Sequence, residues 1–324
     1  MSTQLQTSAK TKYMLLEVIY RSLFAYPLTK DELHYFFPMS KVSKRELDVL
    51  IEETVEFQQS ESYIHLTGED HIINTRKKRL VESKKYQKDL NIIVSMLKWI
   101  PFIKMIAVSG SLATDNINKK DADIDLFLIL SDSKNLITYN VVIRLIKKVL
   151  ILFRLKPCIN YIKSMDNLEM EHKNFYTAKE ALLAKPVYNQ SVYDQFLHAN
   201  KWINQYYPNH PKINNLNVKS IDKCFVFNLL PLNLGVKLSL IIYLKIKKIL
   251  KMSYGPLHNH ISLVHNPGYY DTLKKLIKEK LLKHNLALDD KELTFLFPDI
   301  LNENDTAEDI RFRELKKYTM PCQT

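Results

Sequence analysis

Glycine is unusually rare in this 324-residue chain: only Gly68, Gly110, Gly235, Gly255 and Gly268 occur, far below the average of about 7%. The scarcity excludes glycine-built phosphate loops, and neither GxGxxG nor GxxxxGK[ST] is present. A glycine retained in such a chain has a backbone task. Cysteine is equally sparse. Cys158, Cys224 and Cys322 are odd in number, far apart and without a CxxC pair, which argues against a disulfide framework or a thiolate zinc cluster and fits a reducing compartment. The longest apolar stretch, Phe225 to Leu244, is broken by Asn228, Pro231, Asn233, Gly235 and Lys237, so it falls short of a spanning helix. The opening residues MSTQLQTSAKTK lack the charged-then-apolar pattern of an export signal. A cytoplasmic protein without membrane insertion is expected.

Acidic residues are outnumbered. Against 47 Lys and Arg stand 35 Asp and Glu, a net charge of +12 that favours an anionic partner such as a nucleotide, a nucleic acid or a membrane surface. Hydrophobic residues make up 46% of the chain, enough for two or three separate cores.

The periodicities predict an α+β protein in three parts. Residues 1–80 read as a winged-helix-like module. A helix over Lys12 to Phe24 is followed by two capping boxes, Thr29-Lys-Asp-Glu32 and Ser43-Lys-Arg-Glu46. The second helix carries the stripe Leu47, Leu50, Ile51 and Val55, and a hairpin is expected from Glu61 to Leu66 and His71 to Ile73. Its charges weaken a DNA reading: Glu46, Asp48, Glu52, Glu53 and Glu56 outweigh Lys41, Lys44 and Arg45. A long helix from about Glu69 to Trp99, basic at first, bridges to a core over 85–170. That core reads as strand Lys104 to Val108, strand from Asp123, helix Lys134 to Arg154 and strand Cys158 to Lys163, in an antiparallel or mixed sheet with flanking helices. An all-helical region is expected over 171–324, including Thr177 to Ala184, Ser191 to Tyr206, Leu234 to Met252, Tyr269 to His284 and Ala307 to Tyr318.

Chemistry concentrates in MIAVSGSLATDNINKKDADIDLFLIL, residues 105–130. An apolar strand ends at Gly110-Ser111; eleven residues later Asp123-Ile124-Asp125 opens a second apolar strand. Alternation puts both aspartates on one face, roughly 6–7 Å apart, near enough to grip one or two small hard cations. Gly110 stands where a strand must turn tightly and let a phosphate approach main-chain N–H groups.

This pattern resembles the signature of the DNA polymerase beta-like nucleotidyltransferase superfamily. The wider layout is similar to uncharacterised nucleotidyltransferase-domain proteins with a winged-helix-like start and a helical tail, carried by YPLTKDELHYFF, IAVSGSLA, ADIDLFLI, CINYIKS, NFYTAKEALLAKPVYNQSVYDQFLHANKWI and VHNPGYY. The resemblance implies that Asp123 and Asp125 hold Mg2+ (or Mn2+) and do the catalytic work, while Gly110 and Ser111 cradle the phosphates of an NTP, ATP first among them. It also implies a third carboxylate on a later strand. Cys158-Ile-Asn-Tyr-Ile-Lys163 offers Asn160 there, no base and a poor metal ligand; Asp166 and Glu169 lie just beyond.

The expected activity is transfer of an NMP from the NTP to an acceptor with release of pyrophosphate. A small molecule or protein is favoured as acceptor over tRNA or DNA, since no basic-aromatic strand-tracking surface is apparent. A winged-helix regulator that senses a nucleotide without chemistry, and a toxin-type transferase acting on tRNA or protein, are the alternatives. Lys119 and Lys120 read as solvated loop residues. His258, His260 and His265 read as ordinary loop histidines, Tyr161, Tyr176, Tyr188 and Tyr193 as core, and Lys237 to Lys251 as an amphipathic packing helix.

Overall fold

A computed structural model describes residues 2–118, 122–133, 136–214 and 268–283. Helix α1 (Ser2–Ser22) leads to strand β1 (Leu28–Thr29) and the two capped helices α2 (Lys30–Tyr35) and α3 (Lys44–Glu53). Both capping boxes form: the Thr29 and Ser43 hydroxyls accept the amides of Glu32 and Glu46, whose carboxylates bond back to the cap amides. Strands β2 (Phe57–Ser60) and β3 (Tyr63–Leu66) complete a three-stranded antiparallel sheet in the order β1-β3-β2.

The hairpin thus uses Phe57 to Ser60 as its first strand, turning at Glu61 with a positive φ of 56°. His71 to Ile73, expected as a strand, instead begins helix α4 (His71–Lys85). Val55 leaves the expected stripe, because α3 has ended at Glu53 and its side chain stands exposed. The single long helix also divides. At Tyr86 the N–H turns to the Ser83 carbonyl at 3.1 Å, and a second helix, α5 (Gln87–Leu97), follows.

Strand β4 (Ile103–Val108), the one-turn α6 (Gly110–Ala113), strand β5 (Ile124–Leu130), helix α7 (Leu136–Leu152) and strand β6 (Pro157–Ser164) follow the expected order. Helix α8 (Phe175–Leu183) leads to a strand absent from the sequence reading, β7 (Lys185–Tyr188). The second sheet runs β6-β5-β4-β7, with β4 antiparallel to β5 and β7, and β5 parallel to β6. It is mixed, as expected. The region beyond 171 is not purely helical, since β7 closes the β4 edge of this sheet. Helices α9 (Gln190–Ala199), α10 (Ile203–Tyr206), α11 (Pro211–Asn214) and α12 (Gly268–Lys283) complete the described elements. The expected helices at Leu234 to Met252 and Ala307 to Tyr318 lie outside them.

Alternation along the strands gives the second sheet two apolar faces. Ile106, Val108, Leu126 and Leu128 pack with Leu90 and Ile93 of α5 and Ile143 and Leu150 of α7. Met105, Ala107, Phe127, Ile129 and Tyr161 face the other way, joining Phe175 and Tyr176 of α8 and Phe196 of α9. That second cluster runs on without interruption into Met14 to Leu23, Leu33, Leu47 and Ile64 of the N-terminal module. No helix among the described residues is long and apolar enough to cross a membrane.

Candidate functional site

The register places a polar row at one end of the second sheet. Val108 pairs with Leu126, and the Ser109 amide donates to the Asp125 carbonyl at 2.9 Å, so Ser109 and Asp125 are cross-strand neighbours. On the parallel side Asp125 is in register with Cys158. Ser109, Asp125 and Cys158 therefore continue the face of Ala107, Phe127 and Tyr161, toward α8. Asp123, just ahead of β5, is exposed, whereas Asp125 is half-buried, and the Asp123 charge is felt at Asp125.

Gly110 makes this row possible. Its φ is +62°, left-handed, and a Cβ added there would lie 2.5 Å from Asp125 Oδ2. The Asp125 carboxylate thus rests against bare backbone, and any side chain at 110 would displace it. Beside it the buried Ser109 hydroxyl has no hydrogen-bond partner. Ser111 follows, its carbonyl accepting the Asn116 amide at 2.8 Å.

The electrostatics of the described residues set burial against a few nearby charges. Burial pushes the Asp125 carboxyl up to about 6; a hydrogen bond from the Cys158 thiol pulls against this, the Asp123 charge adds to it and Lys147 of α7 opposes it. Burial, then the Asp125 charge, holds the Cys158 thiol up to about 11, so it is a protonated donor at neutral pH rather than a nucleophile. The residues fit a small hard cation. Asp123 and Asp125 offer oxygen donors close enough to repel one another, a repulsion that a cation between them relieves. Among the described residues no group of three or more His, Cys, Asp or Glu side chains is arranged to hold a metal ion, but two carboxylates suffice where substrate phosphates complete the shell.

Comparison with family models, curated proteins and solved structures returned no match. The site stands on its own geometry.

The two carboxylates considered for a third ligand, Asp166 and Glu169, fall elsewhere. Because β5 and β6 run parallel, Cys158 sits beside Asp125 and Ser164 beside Leu130; Asp166 and Glu169 therefore follow the far end of β6, about 20 Å of strand away. Asp166 accepts from Ser133 N and Oγ at 3.1 and 2.7 Å, and Glu169 pairs with Lys173. Asn160 is the extra residue of a bulge, since Ile159 pairs with Leu126 and Tyr161 with Phe127.

Glu180 of α8 was missed by the sequence reading. It lies on the polar row's side of the sheet, close enough for Asp125 to act on it electrostatically. Burial raises its carboxyl to about 7; Arg21 and Lys179 oppose the rise and Asp125 adds to it. It makes no hydrogen bond or ion pair among the described residues, while its neighbour Lys179 is consumed by Glu17 of α1 at 2.7 Å. The lysine and glutamate adjacent in a buried helix were the only signal for it.

The remaining assignments divide. Tyr161, Tyr176 and Tyr193 are buried core, and Tyr188 packs partly buried against the α5–α7 side. Lys44 pairs with Asp31, Lys30 with Asp48 and Lys10 with Glu46, which engages basic groups around α3. Lys119, Lys120, His258, His260, His265 and Lys237 to Lys251 lie outside the described residues.

Proposed function

We propose that the chain is a Mg2+-dependent nucleotidyltransferase that moves an NMP from an NTP to an acceptor hydroxyl or phosphate and releases pyrophosphate. The supporting observation is the end of the second sheet, where the Asp125 carboxylate is pressed against the bare backbone of Gly110, with Asp123 two residues before it and Glu180 of α8 within electrostatic reach. The first module, with its order α1-β1-α2-α3-β2-β3, reads as a winged helix that packs on the core rather than grips DNA, since α3 is acidic along its body and its apolar residues join the cluster that runs into the second sheet.

Asp123 and Asp125 would hold Mg2+, whose charge neutralises the triphosphate and the leaving pyrophosphate. Gly110 lets the phosphates approach the chain, and the Ser109 and Ser111 hydroxyls and Lys147 orient them. For a hydroxyl acceptor, Glu180 takes the proton as the oxygen bonds to the α-phosphorus and the bond to pyrophosphate breaks. Positioning and charge neutralisation supply most of the rate enhancement.

The test is incubation of the full chain with Mg2+ and each α-labelled NTP. Pyrophosphate release, or label transfer to protein or added acceptors, is expected for the wild type and should fall at least about a hundredfold in Asp123→Asn and Asp125→Asn. Glu180→Gln should keep nucleotide binding and lose transfer. Turnover that survives Asp125→Asn would show that the chemistry lies elsewhere.

A further inference from the structure

The connection between Gly110-Ser111 and Asp123 contains no glycine after Gly110, and its residues 116, 117 and 122 meet side chains of α4 and of Tyr86 just past it. Arg79, buried on α4, donates from Nη1 to the Phe24 carbonyl at 2.6 Å and to Asn116 Oδ1 at 3.3 Å. Asn116, also buried, donates from Nδ2 to that same Phe24 carbonyl at 3.0 Å, and its amide donates to the Ser111 carbonyl. One residue on, the Ile117 amide donates to the buried Ser83 hydroxyl at 3.2 Å. At the far end the Ala122 amide, next to Asp123, donates to Tyr86 Oη at 3.0 Å.

Arg79, Ser83 and Tyr86 recur at helical spacing, so one side of the helix and its break meets three points of the connection. The break at Tyr86 has a use here: its hydroxyl reaches the residue before the aspartates. A main-chain carbonyl in the N-terminal module, Phe24, receives both the guanidinium and the amide. Buried polar groups of this kind specify one arrangement, because every alternative leaves a donor or acceptor unpaired.

We propose that Asn116 and Arg79 are positioning residues of the candidate nucleotide site: a buried amide–guanidinium clamp, anchored on the Phe24 carbonyl, that fixes Ser111 relative to the aspartate pair. The proposal rests on the nucleotidyltransferase reading for its consequence, but the clamp itself can be tested without it. Neither side chain is placed against substrate. Both hold in place residue 116, whose main-chain N–H donates to the Ser111 carbonyl, and their loss loosens the phosphate-holding turn while leaving both aspartates chemically intact.

The experiment uses the full chain, with Asn116→Ala, Arg79→Met, their double variant and the conservative Arg79→Lys. Circular dichroism and thermal melting report the fold, titration with ATP at saturating Mg2+ reports the site, and amide hydrogen exchange without nucleotide reports residues 111–118. Wild-type binding is expected to weaken roughly ten- to hundredfold in each single variant, with the dichroism spectrum kept and exchange at 111–118 faster. The double variant should be no weaker than the worse single one, because the two residues act as a unit, and Arg79→Lys should recover part of the loss. Wild-type affinity in folded Asn116→Ala, or unchanged exchange at 111–118, would overturn the clamp. If a variant fails to fold, the Arg79→Lys comparison decides on the same readouts. Should the wild type itself not bind MgATP, the nucleotidyltransferase reading fails, and the clamp is then upheld or overturned by the exchange rates alone.

Discussion

A side chain at Gly110 is disfavoured for two independent reasons. Its backbone is left-handed, and the nearest atom to a new Cβ is an Asp125 carboxylate oxygen at 2.5 Å. Gly110→Ala is therefore expected to lower stability by about 1–2 kcal/mol from backbone strain alone, and to push Asp125 out of the polar row. Denaturant unfolding and MgATP titration check the two effects separately; a variant with wild-type stability and affinity would contradict the geometry. Much of this residue-scale picture was legible in the sequence. A chain with five glycines does not spend one between a strand and a serine idly, and the spacing already set Asp125 at the opening of the strand that follows. Glu180 was not legible, because its place depends on how α8 lies over the sheet, a tertiary fact with no local periodicity. Cys158 was visible as a sparse cysteine, but its pairing with Asp125 required the parallel register of β5 and β6.

At the scale of elements, the capping boxes at Thr29 and Ser43 were readable because capping is local chemistry. His71 to Ile73 reads as a strand yet opens α4, since a short apolar run serves helix and strand alike. The break at Tyr86 was hidden for another reason: the hydroxyl contact to Ala122 that accompanies it is long-range. β7 was missed because its four residues, Lys-Pro-Val-Tyr, carry a proline and only one clear alternation; proline is tolerated there because β7 lies at the sheet edge.

The link between α2 and α4 yields a pH prediction. Glu32 accepts from Arg76 Nη1 and Nη2 at 2.9 and 2.7 Å, from the Thr29 amide at 2.8 Å and from Tyr26 Oη at 2.7 Å. Burial alone would raise its carboxyl, but the Arg76 hydrogen bonds and charge, with those of Thr29 and Tyr26, hold it down to about 2. A folded-state value below the ordinary 4.5 means the stabilisation is fully present above pH 4.5 and is lost as pH falls through about 2. With the carboxylate partly exposed, about 2–3 kcal/mol is at stake. Glu32→Gln should lose that amount at pH 7 and lose less on acidification to pH 3 than the wild type does, as measured by urea unfolding at both values. An unchanged pH dependence in the variant would exclude Glu32 as its source.

Across the whole molecule, one apolar cluster joins the N-terminal module to the second sheet, and buried polar ties follow the same route. Lys179 of α8 reaches Glu17 of α1 at 2.7 Å, Glu17 also holds Arg21, and Arg79 and Asn116 meet at the Phe24 carbonyl. The N-terminal module buttresses the candidate site from the side of the sheet that carries Asp125. Composition foretold enough apolar residue for several cores; it gave no hint that two of the expected parts share one, because sharing is decided by which faces meet.

The central claim is that Asp123 and Asp125, against Gly110, receive a metal-bound nucleotide. Calorimetric titration of the full chain with ATP, with and without Mg2+, tests it most directly. The account predicts binding that requires Mg2+, drops at least about tenfold in Asp125→Asn with the fold intact, and is unaffected by Asp166→Asn at the far end of the sheet. Nucleotide binding indifferent to Mg2+ and to Asp125→Asn would contradict it.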